Sequence, residues 1–509
     1  MRLGCIVATF AMALLAGIAS PAVAVPLGDA AAARLLTRAG FAPSAAEVAR
    51  VASLTQAQAV DQLLATVRRS AETPPPGWIG DRVILPREIQ QMSADAQRDY
   101  RQTLFRQSVE LRGWWLREMA GTPSPLTERM TLFWHNHFVT AQPKVRWPQL
   151  LYRQNLTFRE HALGSFATLL DAMLRDPALL VYLDAPANRR GQPNENLARE
   201  LMELVTLGEG QYGERDVKEA ARALTGLSID PATAVFIYRP FAHDSGRKQV
   251  LGADGDLGPG QLSRVLLQQP ATARFIVTKL WREFVSSQTD TKRIEAIADA
   301  FRASGYQIPV ALRGILMQPE VVAAEGPDLL IKSPVELVIG LVRQSGGTLT
   351  NPGGAALAVA SMGQNLFGAP NVRGWPGGEA WINTQSLLAR KQFIDTSVRV
   401  RAASSMPTAM APAADMMRPA GSTAAVDPAE QQRRAQVLAQ RALEAAARVD
   451  APAWLGAFGL AVERPLAADE ASRIANSVLL APSASPVPVG TLAFDALRAT
   501  LLDPAYQLK

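Results

Sequence analysis

Cysteine is all but missing from this chain: among 509 residues only Cys5 carries a thiol, and it precedes an apolar run at the N-terminus. Past that residue there is no disulfide, no thiolate nucleophile and no cysteine-ligated metal. Histidine is scarce too, with four residues, His135, His137, His161 and His243. Only eight of the 52 basic residues are lysine (Lys144, Lys218, Lys248, Lys279, Lys292, Lys332, Lys391 and Lys509), and the arginines are scattered among similar numbers of Asp and Glu. An excess of Arg, Ala, Pro and Gly is what a GC-rich genome imposes. With no basic block, the net charge of +6 and pI near 9.6 do not mark a nucleic-acid footprint. Past residue 25 no apolar run reaches the ~20 residues that a spanning helix needs. The Gly-x-Ser-x-Gly elbow, His-Glu-x-x-His, the phosphate-binding loop and the dinucleotide fingerprint are all absent.

What is present begins with an export signal. Arg2 supplies a positive start, Ile6 to Ala16 carry no charge, Ser20-Pro21 end a helix, and Ala22-Val23-Ala24 fit a signal peptidase. Residues 1–24 are thus expected to be a cleaved signal peptide, with the mature chain starting at Val25 in the periplasm or outside the cell. The hydrophobic content of 48% and charged content of 19% are those of a globular protein, long enough to bury a sizeable core without disulfides.

The periodicity along the chain is helical. Ala32, Leu35, Leu36 and Ala39 form one stripe, and Ser44 with Glu47 forms a capping box for the next helix. Helices are expected at 94–119, through Phe138, and at 161–174, 194–207, 214–226, 260–285, 291–303, 309–317, 333–344, 384–403, 429–448 and 491–502. Val235 to Tyr238, the turn Asp244-Ser245-Gly246 and Val250-Leu251 read as one small hairpin. The fold class is therefore all-α with a minor β-hairpin. Residues 25–403 form a main helical domain, 404–428 a disordered linker poor in large apolar side chains, and 429–509 a helical segment packing on or beside the main domain. Trypsin is expected to cut first at Arg418 or at Arg433-Arg434.

The polar chemistry concentrates in few places. His135 and His137 lie two apart, about 200° around a helix, so only one can face any given site. The other reading of His137 is a core histidine with one satisfied hydrogen bond. Asn194 is placed as an N-cap, and Asn196, Glu200 and Glu203 fall on one helical face beside the stripe Leu197, Leu201, Leu204. Two carboxylates a turn apart repel unless an Arg, a proton or a divalent cation lies between them. Glu195 and Arg199 have the spacing of an ordinary i,i+4 pair. His243-Asp244 sets an imidazole beside a carboxylate in a turn, and Trp375 and Trp381 flank a Gly-rich segment whose aromatic faces suit sugar rings, cations or core packing.

The motifs Leu36-Thr37-Arg38-Ala39-Gly40-Phe41, Arg129 to Phe138, Asn194 to Gly208, Ala221 to Gly226, His243-Asp244 with Leu251-Gly252, Gly374 to Gly378 with Trp381, and Asp503-Pro504-Ala505-Tyr506 follow one another in order. This series resembles the bacterial domain-of-unknown-function family 1800 over nearly the whole mature chain, with departures at Ala42 and Leu227. The resemblance implies an exported protein without an assigned activity, often encoded beside a second exported, sulfatase-like protein, and hence a partner in the envelope.

Two functions follow as expectations. In the first, Glu200, Glu203 and His243 are catalytic acid and base groups. His135, His137, Asn194, Asn196, Arg199, Asp244, Trp375 and Trp381 bind the ligand, and a divalent cation joins them, in a periplasmic enzyme acting on an envelope polymer or sugar. In the second, the same motifs are internal hydrogen-bond networks in a non-catalytic partner or assembly factor for the sulfatase-like protein.

Overall fold

The computed structural model describes residues 25–323, 329–398 and 446–509. The expected signal peptide, the expected linker and all but the last three residues of the helix expected at 429–448 lie outside these. No helix among the described residues is long and apolar enough to cross a membrane.

The fold is helical throughout, with two small antiparallel sheets. Its first third builds the frame: α1 (Gly28–Ala39), α2 (Ala45–Ala52), α3 (Gln56–Ala65), α4 (Pro86–Gln91), α5 (Ala94–Gly121), α6 (Pro125–His137) and α7 (Pro148–His161). The Ser44–Glu47 capping box opens α2, and Glu47 also pairs with Arg343 at 2.6 Å. α5 is the longest helix among the described residues and buries Trp114 and Trp115. α6 is covered on nearly every side, with Asn136 its one half-buried residue after the first turn.

The middle of the chain adds α8 (Phe166–Met173), α9 (Pro177–Tyr182), α10 (Asn196–Glu200) and α11 (Glu214–Ala223). α12 (Pro259–Gln268), α13 (Pro270–Phe284), α14 (Thr291–Ala303) and α15 (Ile308–Leu316) follow, then α16 (Pro334–Ser345), α17 (Pro352–Ser361) and α18 (Thr384–Ser397). The single helix expected at 260–285 is two, because Pro270 lacks an N–H and holds Gln269 extended. α17 lies along α5 at a place where Gly113 leaves no room for a side chain; a Cβ there would stand 2.9 Å from the Pro352 carbonyl carbon.

The expected hairpin is also corrected. β1 (Leu227–Ile229) pairs with β2 (Phe236–Tyr238), and β3 (Lys248–Val250) pairs with β4 (Ala253–Gly255). Val235 to Tyr238 therefore turns back on 227–229 instead of crossing to Val250. After β2, Pro240 starts a short 3-10 turn that leads the chain away. Leu251 and Gly252 both take positive φ, the two-residue turn that closes β3 onto β4.

Residues 446–509 hold the helices Ala451–Gly456, Ala468–Val478 and Ala493–Leu502, and they lie against the main body. Ile331 bridges Leu508 and Thr348 bridges Arg448, Arg498 pairs with Asp395, and Arg34 donates to the Leu480 carbonyl. One apolar core therefore runs from Ala32 to Tyr506.

Candidate ligand-binding cavity

The site grows out of α6. Neighbouring charges on this buried helix point to different partners. Glu128 accepts both Arg159 of α7, at 2.5 and 2.9 Å, and the Trp115 indole of α5, at 2.9 Å. Arg129 turns the other way and pairs with Glu283 of α13 at 2.6 Å and Glu336 of α16 at 2.5 Å. Burial alone would raise the Glu336 pKa, but Arg129 and Lys509, both in contact with it, hold it down at about 2.

At the end of α6 the two histidines separate, as two residues on one helix must. His135 packs among Trp115, Phe158 and Phe367, where burial lowers its pKa to about 3 and keeps it neutral. His137 stands on the other side, and burial followed by the charge of Lys279 holds it neutral too. Its Nε2 lies 3.0 Å from the Val205 carbonyl, so that nitrogen carries the proton and donates. Nδ1 is then a lone-pair acceptor, and it has no partner among the described residues.

Between the histidines, Asn136 grips the Gly-rich loop. Its Oδ1 accepts the Trp375 N–H at 2.7 Å and its Nδ2 donates to the Trp375 carbonyl at 3.3 Å. The approach needs Gly374, whose φ is +84° and where a Cβ would fall 2.1 Å from Asn136 Oδ1. The loop so fixed carries Trp375 and Trp381 to the wall of a cavity of about 400 Å³. His137, Phe133, Lys279 and Gln364 form other parts of that wall. The Trp375 Nε1–H, like His137 Nδ1, is buried without a hydrogen-bond partner among the described residues. A cavity of this size, with aromatic walls and a few unsatisfied polar atoms, has the form of a small-molecule site.

The other residues expected at the site fall elsewhere. Asn194 accepts the Asn196 N–H at 2.9 Å and so caps α10 locally. Asn196 donates to Asp184, which Lys144 also pairs at 2.7 Å. Arg199 joins Glu195 to Glu214. After α10 the chain widens into a π-turn over Leu201–Thr206, seen in the bond from the Leu207 N–H to the Met202 carbonyl at 2.8 Å. The turn carries Glu203, which receives Tyr212 Oη–H at 3.2 Å and Arg373 at 2.9 Å. Glu200 has no hydrogen bond or ion pair with the described residues, and burial and the nearby Glu203 raise its pKa. His243 Nδ1 lies 2.9 Å from the Thr225 carbonyl, and Asp244 is clamped by Arg222, which holds its pKa at about 2. No hydrogen bond or ion pair among the described residues links His243 or Asp244 to Glu200 or Glu203, and none of these four lines the large cavity. Among the described residues no group of three or more His, Cys, Asp or Glu is placed to hold a metal ion.

Against the models of known families, residues 34–508 match the one described as protein of unknown function, DUF1800. The chain belongs to the DUF1800 family. No curated protein and no solved structure matches it.

In this DUF1800 chain, then, the cavity gathers His137, Trp375 and Trp381 from the residues singled out in the sequence, and Glu203 reaches its rim through Arg373. Sequence reasoning missed Asn136, Arg129, Lys279, Arg282, Glu283, Glu336 and Lys509. Asn136 stood in plain view between the two histidines. The charged residues gave no local signal, because α6, α13, α16 and the last residue of the chain meet only in the fold.

Proposed function

We propose that this DUF1800 protein is exported to the cell envelope, where the cavity between α6, α13 and the 374–381 loop takes up a sugar unit of an envelope polymer. One observation carries the reading. His137 Nδ1 and Trp375 Nε1–H, an acceptor and a donor, are both buried and unpartnered in residues that line an aromatic-walled cavity. A buried polar group without a partner costs about 1–3 kcal/mol, and a hydroxyl-rich ligand seated against these two side chains would relieve it by turning either atom toward its hydroxyls. Any acid–base chemistry belongs to the cavity-lining His137 and Lys279.

A non-catalytic role beside the sulfatase-like envelope protein is the second reading. It is supported by the internal partners that occupy Glu203, His243 and Asp244.

Tryptophan fluorescence of the mature protein, titrated with size-fractionated oligosaccharides from the cell wall and outer envelope, tests the first reading. Quenching that saturates and is lost in Trp381→Ala is expected, with product analysis by mass spectrometry reporting any cleavage. If no fraction changes the emission while the sulfatase-like protein binds wild type and Trp381→Ala alike, the second reading replaces the first.

A further inference from the structure

The charges around the cavity do not balance. Among the described side chains that line it, five are cationic, Arg129, Lys279, Arg282, Arg373 and Lys509, and two are carboxylates, Glu283 and Glu336. Both carboxylates are already engaged by Arg129, and Glu336 also by Lys509. Arg373 is turned to Glu203 and Glu209. That leaves Lys279 and Arg282, one turn apart on α13, with no hydrogen bond or ion pair to any described residue.

Arg282 is exposed and can be served by water, but Lys279 is half-buried. The ammonium of Lys279 sits 5.3 Å from the Phe275 ring centroid, a weak partner for a cation drawn out of water. The other charged or titratable side chains of the cavity wall are His137, which is neutral, and Arg129 of α6, Arg282 and Glu283 of α13, Glu336 of α16, Arg373 of the Gly-rich loop and Lys509.

We infer that the cavity contains an oxyanion subsite, in which Lys279 and Arg282 pair with a carboxylate, phosphate or sulfate group of the ligand. The inference rests on the cavity being the ligand site and specifies its ligand as an acidic sugar unit. Burial sets the Lys279 pKa at about 8, so the ammonium is charged at neutral pH and loses its proton just above it. Affinity for the anion therefore weakens as pH rises through that value, whereas affinity for a neutral sugar does not.

The test uses the mature protein and an amine-reactive succinimidyl ester, with the acylation of each lysine followed by peptide mass spectrometry. Acetate, glucuronate, inorganic phosphate and sulfate are compared with chloride at equal ionic strength, and the exposed Lys292 is the internal control. Slower acylation of Lys279 alone, by at least threefold, is expected. Protection by acetate and glucuronate identifies a carboxylate, and protection by phosphate or sulfate a tetrahedral oxyanion. In thermal-shift titrations Lys279→Gln should lower the affinity for the protecting anion at least tenfold without lowering the melting temperature, and Arg282→Gln should lower it less.

Equal acylation in all anions, or unchanged affinity in Lys279→Gln, overturns the subsite. If a neutral oligosaccharide then still quenches the tryptophans, the cavity stands as a ligand site and only its anionic character is lost. If neither anion nor neutral sugar acts on the cavity, both readings fall.

Discussion

Gly374 and Asn136 show how narrowly the site is set at the level of single residues. The Asn136 amide fills the space where a Cβ at position 374 would lie, and the backbone there is left-handed. Gly374→Ala should therefore cost about 1–3 kcal/mol through the backbone alone, with more from the displaced amide, and should lower the melting temperature while shifting tryptophan emission. Glu336 gives a pH prediction. Its pKa stands at about 2 against an ordinary 4.5, so the folded state holds fewer protons than the unfolded one between these values. Its contribution is complete above pH 4.5 and lost as pH falls toward 2. Glu336→Gln should flatten that acid limb of the stability curve and cost about 3–5 kcal/mol at neutral pH, because buried Lys509 would lose its one ion-pair partner among the described residues and Arg129 would keep only Glu283. Chemical denaturation at a series of pH values measures both. Residue-level signals were legible in the sequence where the partner is local, as with Ser44 and Glu47. They were silent for Glu336, whose cations lie 207 and 173 positions away.

Among the elements, helix existence was legible because apolar periodicity records which face meets the core, and α14 ends where its pattern ends. Two kinds of boundary were not. Pro270 was in the sequence, but an unbroken apolar stripe on both sides hid the corner it makes. Which short strand pairs with which depends on positive-φ turns at Ala234 and Leu251, residues whose type does not announce them. The π-turn after α10 is a third case, since a face drawn at 3.6 residues per turn no longer holds beyond Glu200. It nevertheless leaves Glu200 close enough to Glu203 to be repelled by it, half-buried and without a bonding partner among the described residues. Glu200→Gln should thus leave stability unchanged or raise it by up to about 1 kcal/mol at neutral pH. The raised pKa predicts that wild type regains this difference in acid, once Glu200 is protonated. A loss of stability in Glu200→Gln would mean that the carboxylate has a structural partner.

On the scale of the whole molecule, residues 446–509 complete the cavity as well as the core. Lys509 enters the cavity wall, and its main chain exchanges two hydrogen bonds with Leu330, at 3.0 and 2.7 Å. Tyr506 is buried beneath it, with the Lys332 ammonium 4.0 Å from its ring centroid and 2.8 Å from its carbonyl. Arg390 ties the same corner to Gln507 at 2.8 Å and to the Lys332 carbonyl at 2.9 Å. A chain cut by trypsin at Arg418 should therefore stay in one piece on a sizing column, since bonded pairs such as Arg498–Asp395 and Ile331–Leu508 bridge the two fragments. Removing residues 506–509 should do more harm than the cut. It strips the buried Tyr506, worth about 3–5 kcal/mol for loss of a large core aromatic, and it leaves Glu336 with Arg129 alone. The expected outcome is a truncated protein of lower melting temperature, whereas the nicked protein keeps both its melting transition and its ligand-dependent fluorescence. Separation of the nicked fragments without denaturant would show that these contacts are too weak to join the parts, and that the cavity wall contributed by Lys509 is dispensable to the fold.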